Sequence, residues 1–212
     1  MGGVVSRKNR NAPYFSPEHR TAHPASAPWN MRTLYGFFYH TLAGWKLQDD
    51  RTEFTRRFIV VIAPHTSNID FWVGLCVRSL AGLEGSKFLA KKSLFKPPVG
   101  WFFRALGGYP VDRSKHSNMT EAVIALFDRG EIQRIGITPE GTRTYQPDWK
   151  TGFHRIATGA GVPIILCSFD YARKTTFITG PFPLTDNAEA DIERMKDWFR
   201  PHKGKYPENG VR

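Results

Sequence analysis

The run Phe58-Ile-Val-Val-Ile-Ala63 constrains this chain more than any other stretch. Consecutive apolar residues leave no polar face, so the segment reads as a strand buried on both sides. A helical pattern follows over about 68–81. Further strands are expected at about 86–90, 108–111, 134–138, 162–170 and 174–179. Helical patterns at 118–129, 151–159 and about 187–199 alternate with them. Strands alternating with helices mean an α/β fold. The expectation is a single domain whose largely parallel or mixed sheet is flanked by helices.

At 212 residues the chain is long enough for one such domain. Residues 1–29 hold Ala, Pro, Ser, His and Arg with no hydrophobic period and read as a loose basic arm, leaving 30–212 as the domain. Met31, Leu34, Tyr35, Phe38, Leu42 and Trp45 fall at helical spacing, which predicts an amphipathic, aromatic-rich helix over about 31–47. That helix either lies in a membrane interface or caps the core. Cys76 and Cys167 cannot form a disulfide framework, and no Cys/His spacing suits zinc. No run reaches the ~18 apolar residues of a spanning helix. The expected location is cytoplasmic.

The net charge of +11 is uneven, with seven basic residues and one acidic residue in 87–115. Lys87, Lys91, Lys92, Lys96, Arg104, Arg113 and Lys115 there interleave with Leu94, Phe95, Val99, Trp101, Phe102 and Phe103. Such a stretch suits an anionic partner: acidic lipid, single-stranded nucleic acid or a phosphate-bearing substrate. It equally suits a core helix with a solvated basic rim. Pro97-Pro98 must break or start a helix inside it.

Functional groups in such folds lie beyond the C-terminal ends of the strands. His65 follows the first buried strand, with Asp70 five residues on. On one continuous helix they would point apart. With His65 in a loop and Asp70 in a first helical turn they can meet, and Asp70 can orient the imidazole as a general base. Alternatively Ser67-x-x-Asp70 is a capping box and Asp70 only caps a helix. Thr138-Pro139-Glu140-Gly141-Thr142-Arg143 follows a later strand. Gly141 permits a positive φ, Arg143 can fork onto a phosphate, and Glu140 can hold Arg143 or a substrate hydroxyl. A plain loop with an internal Glu–Arg pair is the alternative. Arg113, after Gly107-Gly-Tyr-Pro-Val-Asp112, is either an anion ligand or a surface arginine paired with Asp112.

Taken in order, His65-x4-Asp70, Arg113, Pro139-Glu-Gly-Thr-Arg143 and Val162-Pro-Ile-Ile165 resemble the glycerolipid acyltransferase family, and within it the bacterial 1-acyl-glycerol-3-phosphate acyltransferases. The resemblance covers about residues 58–170. It implies that His65 is the general base on an acceptor hydroxyl and Asp70 its orienting partner. Arg113 and Arg143 would hold the acceptor's phosphate, in a pocket shaped by Glu140, Gly141 and Thr142. The implied donor is an acyl-CoA or acyl-carrier-protein thioester, the acceptor a lysophospholipid, with no metal and no other cofactor. Charge suggests Lys91 as a further phosphate contact. The implied setting is phospholipid biosynthesis, peripheral on the cytoplasmic face of an anionic membrane, with no nucleic-acid partner. Two positions depart from the family pattern: Pro64 stands where Asn usually precedes the histidine, and Thr138 where Phe usually precedes the proline. A different lipid acceptor, or a non-catalytic module binding anionic lipid or nucleic acid, are the alternatives.

Overall fold

The computed structural model describes residues 29–52, 55–111 and 119–212. Seven strands form one mixed sheet: β1 (Lys46–Arg51), β2 (Phe58–Ile62), β3 (Lys87–Lys91), β4 (Gly108–Val111), β5 (Arg134–Ile137), β6 (Ile164–Asp170) and β7 (Thr175–Phe182). Their spatial order is β1-β7-β6-β2-β5-β3-β4. The pairs from β6 to β4 are parallel, β6 and β7 form an antiparallel pair, and β1 runs parallel to β7. The helices are α1 (Trp29–Gly36), α2 (Ile69–Leu80), α3 (Gly100–Ala105), α4 (Met119–Asp128), α5 (Gly152–Ala160) and α6 (Ala188–Phe199). The α/β expectation holds, and the central elements lie within a few residues of their predicted places.

Period-two alternation in β2 divides the core. Ile59 and Val61 pack with Phe127 of α4, Phe153 and Ile156 of α5, and Met195 and Phe199 of α6. Phe58 and Val60 point the other way, joining Val77 of α2, Ile165, Cys167 and Phe169 of β6, and Tyr39 and Trp45. A strand sandwiched between helical layers has to be apolar on both faces, which accounts for the Phe58–Ile62 run.

The predicted helix over 31–47 is corrected. The α-helical turns end at Gly36, residues Phe37–Leu42 widen into a π-helix, and Lys46 already starts β1. The π-type bond from Ala43 N–H to Phe38 C=O inserts an extra residue per turn and turns the apolar stripe out of register. Leu34 of that stripe is exposed already in α1, Phe38 and Leu42 are exposed in the widened turn, and Tyr39 is buried and donates to Thr176 Oγ1 at 2.7 Å. The segment still caps the core: Arg32 donates to the Leu80 carbonyl at the end of α2. The diproline behaves as expected, separating a 3-10 turn (Lys92–Phe95) from α3. The N-terminal arm lies outside the described residues.

Candidate active site

Parallel strands bring their following loops to one end of the sheet, and the order β6-β2-β5 sets three of them side by side. The loop after β2 carries His65, α2 begins just beyond it, the loop after β5 carries Glu140 to Arg143, and Tyr171 follows β6. The site is the crevice between these loops, as the open α/β arrangement requires.

His65 and Asp70 meet. His65 Nδ1 lies 3.0 Å from Asp70 Oδ2. A carboxylate only accepts, so Nδ1 carries a proton, and in the neutral imidazole Nε2 is then the acceptor. Nε2 has no hydrogen-bond partner among the described residues, and His65 lines a groove. The same Asp70 oxygen accepts from the backbone N–H groups of Thr66 at 3.0 Å and Ser67 at 2.9 Å. The two readings of Asp70 are thus compatible: it ties down the turn ahead of α2 and orients the imidazole at once. Its other oxygen accepts from the Tyr171 hydroxyl at 2.6 Å. Burial alone would raise the Asp70 pKa, but the hydrogen bonds from His65, Tyr171 and Ser67 outweigh it and hold it below the usual value. Burial and the carboxylate partner push the Tyr171 hydroxyl upward, so it stays a neutral donor.

Glu140 is buried, and its Oε2 accepts from the His65 backbone N–H at 2.9 Å. It pairs with the motif loop and not with Arg143. Burial, with the nearby Asp70 charge, pushes its pKa up to about 7 despite that bond. Gly141 has a φ of +69° and donates its N–H to the Thr138 carbonyl, closing a tight turn. A Cβ there would come within 2.8 Å of Lys150 Nζ. Thr142 Oγ1 lies 3.3 Å from Thr144 Oγ1 and does not line the groove. Arg143 is exposed, lines the groove near His65, and has no acidic partner among the described residues. Lys91 is the last residue of β3, and only its backbone is described. Arg113 lies outside the described residues.

Sequence reasoning missed three parts of the site. Tyr171 gave no motif signal. The C-terminal segment lies against the histidine loop: Tyr206 N–H donates to Thr66 Oγ1 at 3.2 Å, and Gly204 approaches Thr66 and Pro64 so closely that a Cβ would lie 2.6 Å from Thr66 Oγ1. The third is the groove itself, about 550 Å³. It runs from His65 and Arg143 along α2, walled by residues such as Ile62, Leu75, Phe88, Phe103 and Phe169. Among the described residues, no three His, Cys, Asp or Glu side chains gather as a metal site would need, and no helix is long and apolar enough to cross a membrane.

Part of the chain is similar to a 1-acyl-sn-glycerol-3-phosphate acyltransferase of Saccharomyces cerevisiae (strain ATCC 204508 / S288c), 30% identical over 115 residues. That match takes in 50% of this chain and 36% of the yeast protein, so the chain spans about a third of that relative's length. The family profile described as Acyltransferase matches residues 47–170. This interval runs from β1 to the end of β6 and contains both loops that hold His65, so the chain belongs to the acyltransferase family.

Proposed function

We propose that the protein is an O-acyltransferase that moves a fatty acyl group from a thioester, acyl-CoA or acyl-carrier protein, to the hydroxyl of a lysophospholipid such as 1-acyl-glycerol-3-phosphate. The observation that carries this reading is an oriented His65–Asp70 pair at one end of an apolar groove that also presents Arg143. His65 Nε2 takes the proton of the acceptor hydroxyl. The oxygen attacks the thioester carbonyl, a C–O bond forms, and the C–S bond breaks. The leaving thiolate takes the proton back from the imidazolium, which the Asp70 carboxylate stabilises meanwhile. Arg143 fits the acceptor's phosphate as a forked, charge-assisted ligand. Arg113 and Lys91 are proposed as further phosphate contacts on sequence grounds alone. The apolar walls suit a fatty chain, and holding both reactants at His65 supplies part of the rate.

The reaction needs two lipid-like substrates, and the surface around the groove suits a bilayer. Trp72 of α2, Leu94, Val99 and Trp101 near α3, and Leu34, Phe37 and Leu42 of the α1 segment are exposed apolar side chains. Lys92, Lys96 and Arg104 are exposed beside them. Aromatic and aliphatic groups interleaved with lysine suit the interface of an anionic membrane. The proposed setting is phospholipid biosynthesis, peripheral on the cytoplasmic face.

A thiol-release assay tests the reaction. Purified protein, a long-chain acyl-CoA and 1-acyl-glycerol-3-phosphate should release CoA only when the acceptor is present. His65→Ala should cut the rate by ~10²–10⁴-fold while the protein stays folded. A His65→Ala variant with near-normal turnover would end the proposal.

A further inference from the structure

The groove is not apolar throughout. Its far end is lined by Arg78, Ser86 and Lys87. Arg78 sits eight residues beyond Asp70 on α2, about 12 Å along the helix axis. Its guanidinium is half-buried and fixed by a 2.6 Å bond to the Leu106 carbonyl. One bond leaves most of its five N–H donors to be used elsewhere. Ser86 Oγ, on the same lining, is shut off from solvent and has no hydrogen-bond partner among the described residues. A buried hydroxyl without a partner is uncommon and calls for an explanation.

A plain hydrocarbon end placed here would strip water from Arg78 and leave the Ser86 hydroxyl unpaired. A chain end that carries oxygen would accept from Arg78 and, once the Ser86 side chain turns about χ1 into the groove it lines, pair with its hydroxyl. We infer that this end of the groove is a polar subsite for the distal end of the acyl chain, selecting donors that carry a hydroxyl or carboxylate there. The inference rests on the acyl-transfer reading for its reaction, though not for the binding it predicts.

Two measurements on the whole chain test it. Calorimetry compares dodecanoate, ω-hydroxydodecanoate and dodecanedioate. The oxygenated chains should bind about tenfold more tightly, the usual effect of pairing a buried polar group. The hydroxy and dicarboxylic acids separate the two forms of the chain end. Ser86→Ala should shrink the difference for the hydroxy acid, and Arg78→Leu that for the dicarboxylic acid. Arg78 also supports the Leu106 carbonyl, so Ser86→Ala, which removes only an unbonded hydroxyl, carries the test if Arg78→Leu does not fold. Initial rates with decanoyl-, dodecanoyl- and tetradecanoyl-CoA and their ω-hydroxy counterparts should show the same preference in kcat/KM. Equal or weaker binding of both oxygenated acids overturns the subsite, as does a hydroxyl preference that survives Ser86→Ala. Absence of thiol release from every donor, the same chains presented on acyl-carrier protein included, with the binding preference intact, overturns the acyl-transfer reading and leaves the subsite standing.

Discussion

The Tyr171 hydroxyl donates a 2.6 Å hydrogen bond to Asp70 Oδ1, the carboxylate oxygen that His65 does not use. The two residues are 101 apart in sequence. The Tyr171 ring is itself held edge-on by Trp45, with centroids 4.9 Å apart. A rigid core aromatic thus fixes the tyrosine, the tyrosine fixes the carboxylate, and the carboxylate fixes the imidazole.

Tyr171→Phe keeps the ring and removes only the bond to Asp70. We expect kcat to fall about tenfold with little change in KM, and Tm to drop by several degrees, because a charge-assisted hydrogen bond is worth about 1.5–3 kcal/mol. Tyr171 acts through Asp70, so the effect should vanish in an Asp70→Asn background. A double-mutant cycle reads this directly, and additive losses would assign Tyr171 another role.

Glu140 provides a pH test with a definite sign. Its folded pKa of about 7 lies above the ordinary value of 4.5. Between these values the folded protein binds more protons than the unfolded chain, so stability falls as pH rises from about 4.5 to about 7. The contribution lost across that window is about 3 kcal/mol. Glu140→Gln keeps an acceptor for the His65 N–H but cannot titrate. Denaturant midpoints should therefore decline with pH more steeply in wild type than in the variant, and parallel curves would contradict the assignment.

Gly204 lets the C-terminal segment close on the histidine loop. Gly204→Ala would force the buried Thr66 to move, because the added Cβ would sit 2.6 Å from its Oγ1 and 2.7 Å from its Cγ2. Overpacking of this kind costs about 1–3 kcal/mol. We expect a Tm lower by about 2–10 °C for a domain of this size, together with reduced kcat/KM. Thr66→Ala in the same background should restore part of the Tm. Failure to restore any of it would place the strain elsewhere.

The His154–Asp191 pair separates stability from activity. His154 Nε2 lies 2.8 Å from Asp191 Oδ2, both side chains are buried, and Asp191 also accepts from Thr185 and Arg194. Burial would raise the Asp191 pKa, but these bonds bring it down to about 2. Its stabilisation is therefore complete at neutral pH and disappears as pH falls from about 4 toward 2. Asp191→Ala should cost about 3–5 kcal/mol in urea unfolding at neutral pH. The folded fraction should turn over normally, since the pair joins α5 to α6 on the face of the sheet away from the groove.

Most of the fold was legible because its signals are local. The Phe58–Ile62 run can only be a strand covered on both faces, and the patterns of α2, α4 and α6 repeat at helical spacing. Parallel strands send their following loops to the same end, so His65, Asp70 and the 139–143 loop could be assigned to one crevice. β1 was not legible. Its sequence Lys-Leu-Gln-Asp-Asp-Arg has no apolar alternation, and it becomes a strand by pairing with β7 at the sheet edge. The widened turn at Phe37–Leu42 also escaped, because side-chain periodicity assumes the helix it is meant to detect.

By itself, then, the sequence determined the central strands and helices from β2 onward and which polar residues stand at strand ends. These depend on residues a few positions apart. Only the tertiary structure decided that Glu140 holds the His65 backbone instead of Arg143, that Tyr171 completes the Asp70 shell, and that an apolar groove ends on Arg78 and Ser86. Each of these contacts joins distant segments and exists because β6, β2 and β5 are neighbours or because α2 packs across their face. Strand order is a property of the whole folded chain, and no local pattern encodes it.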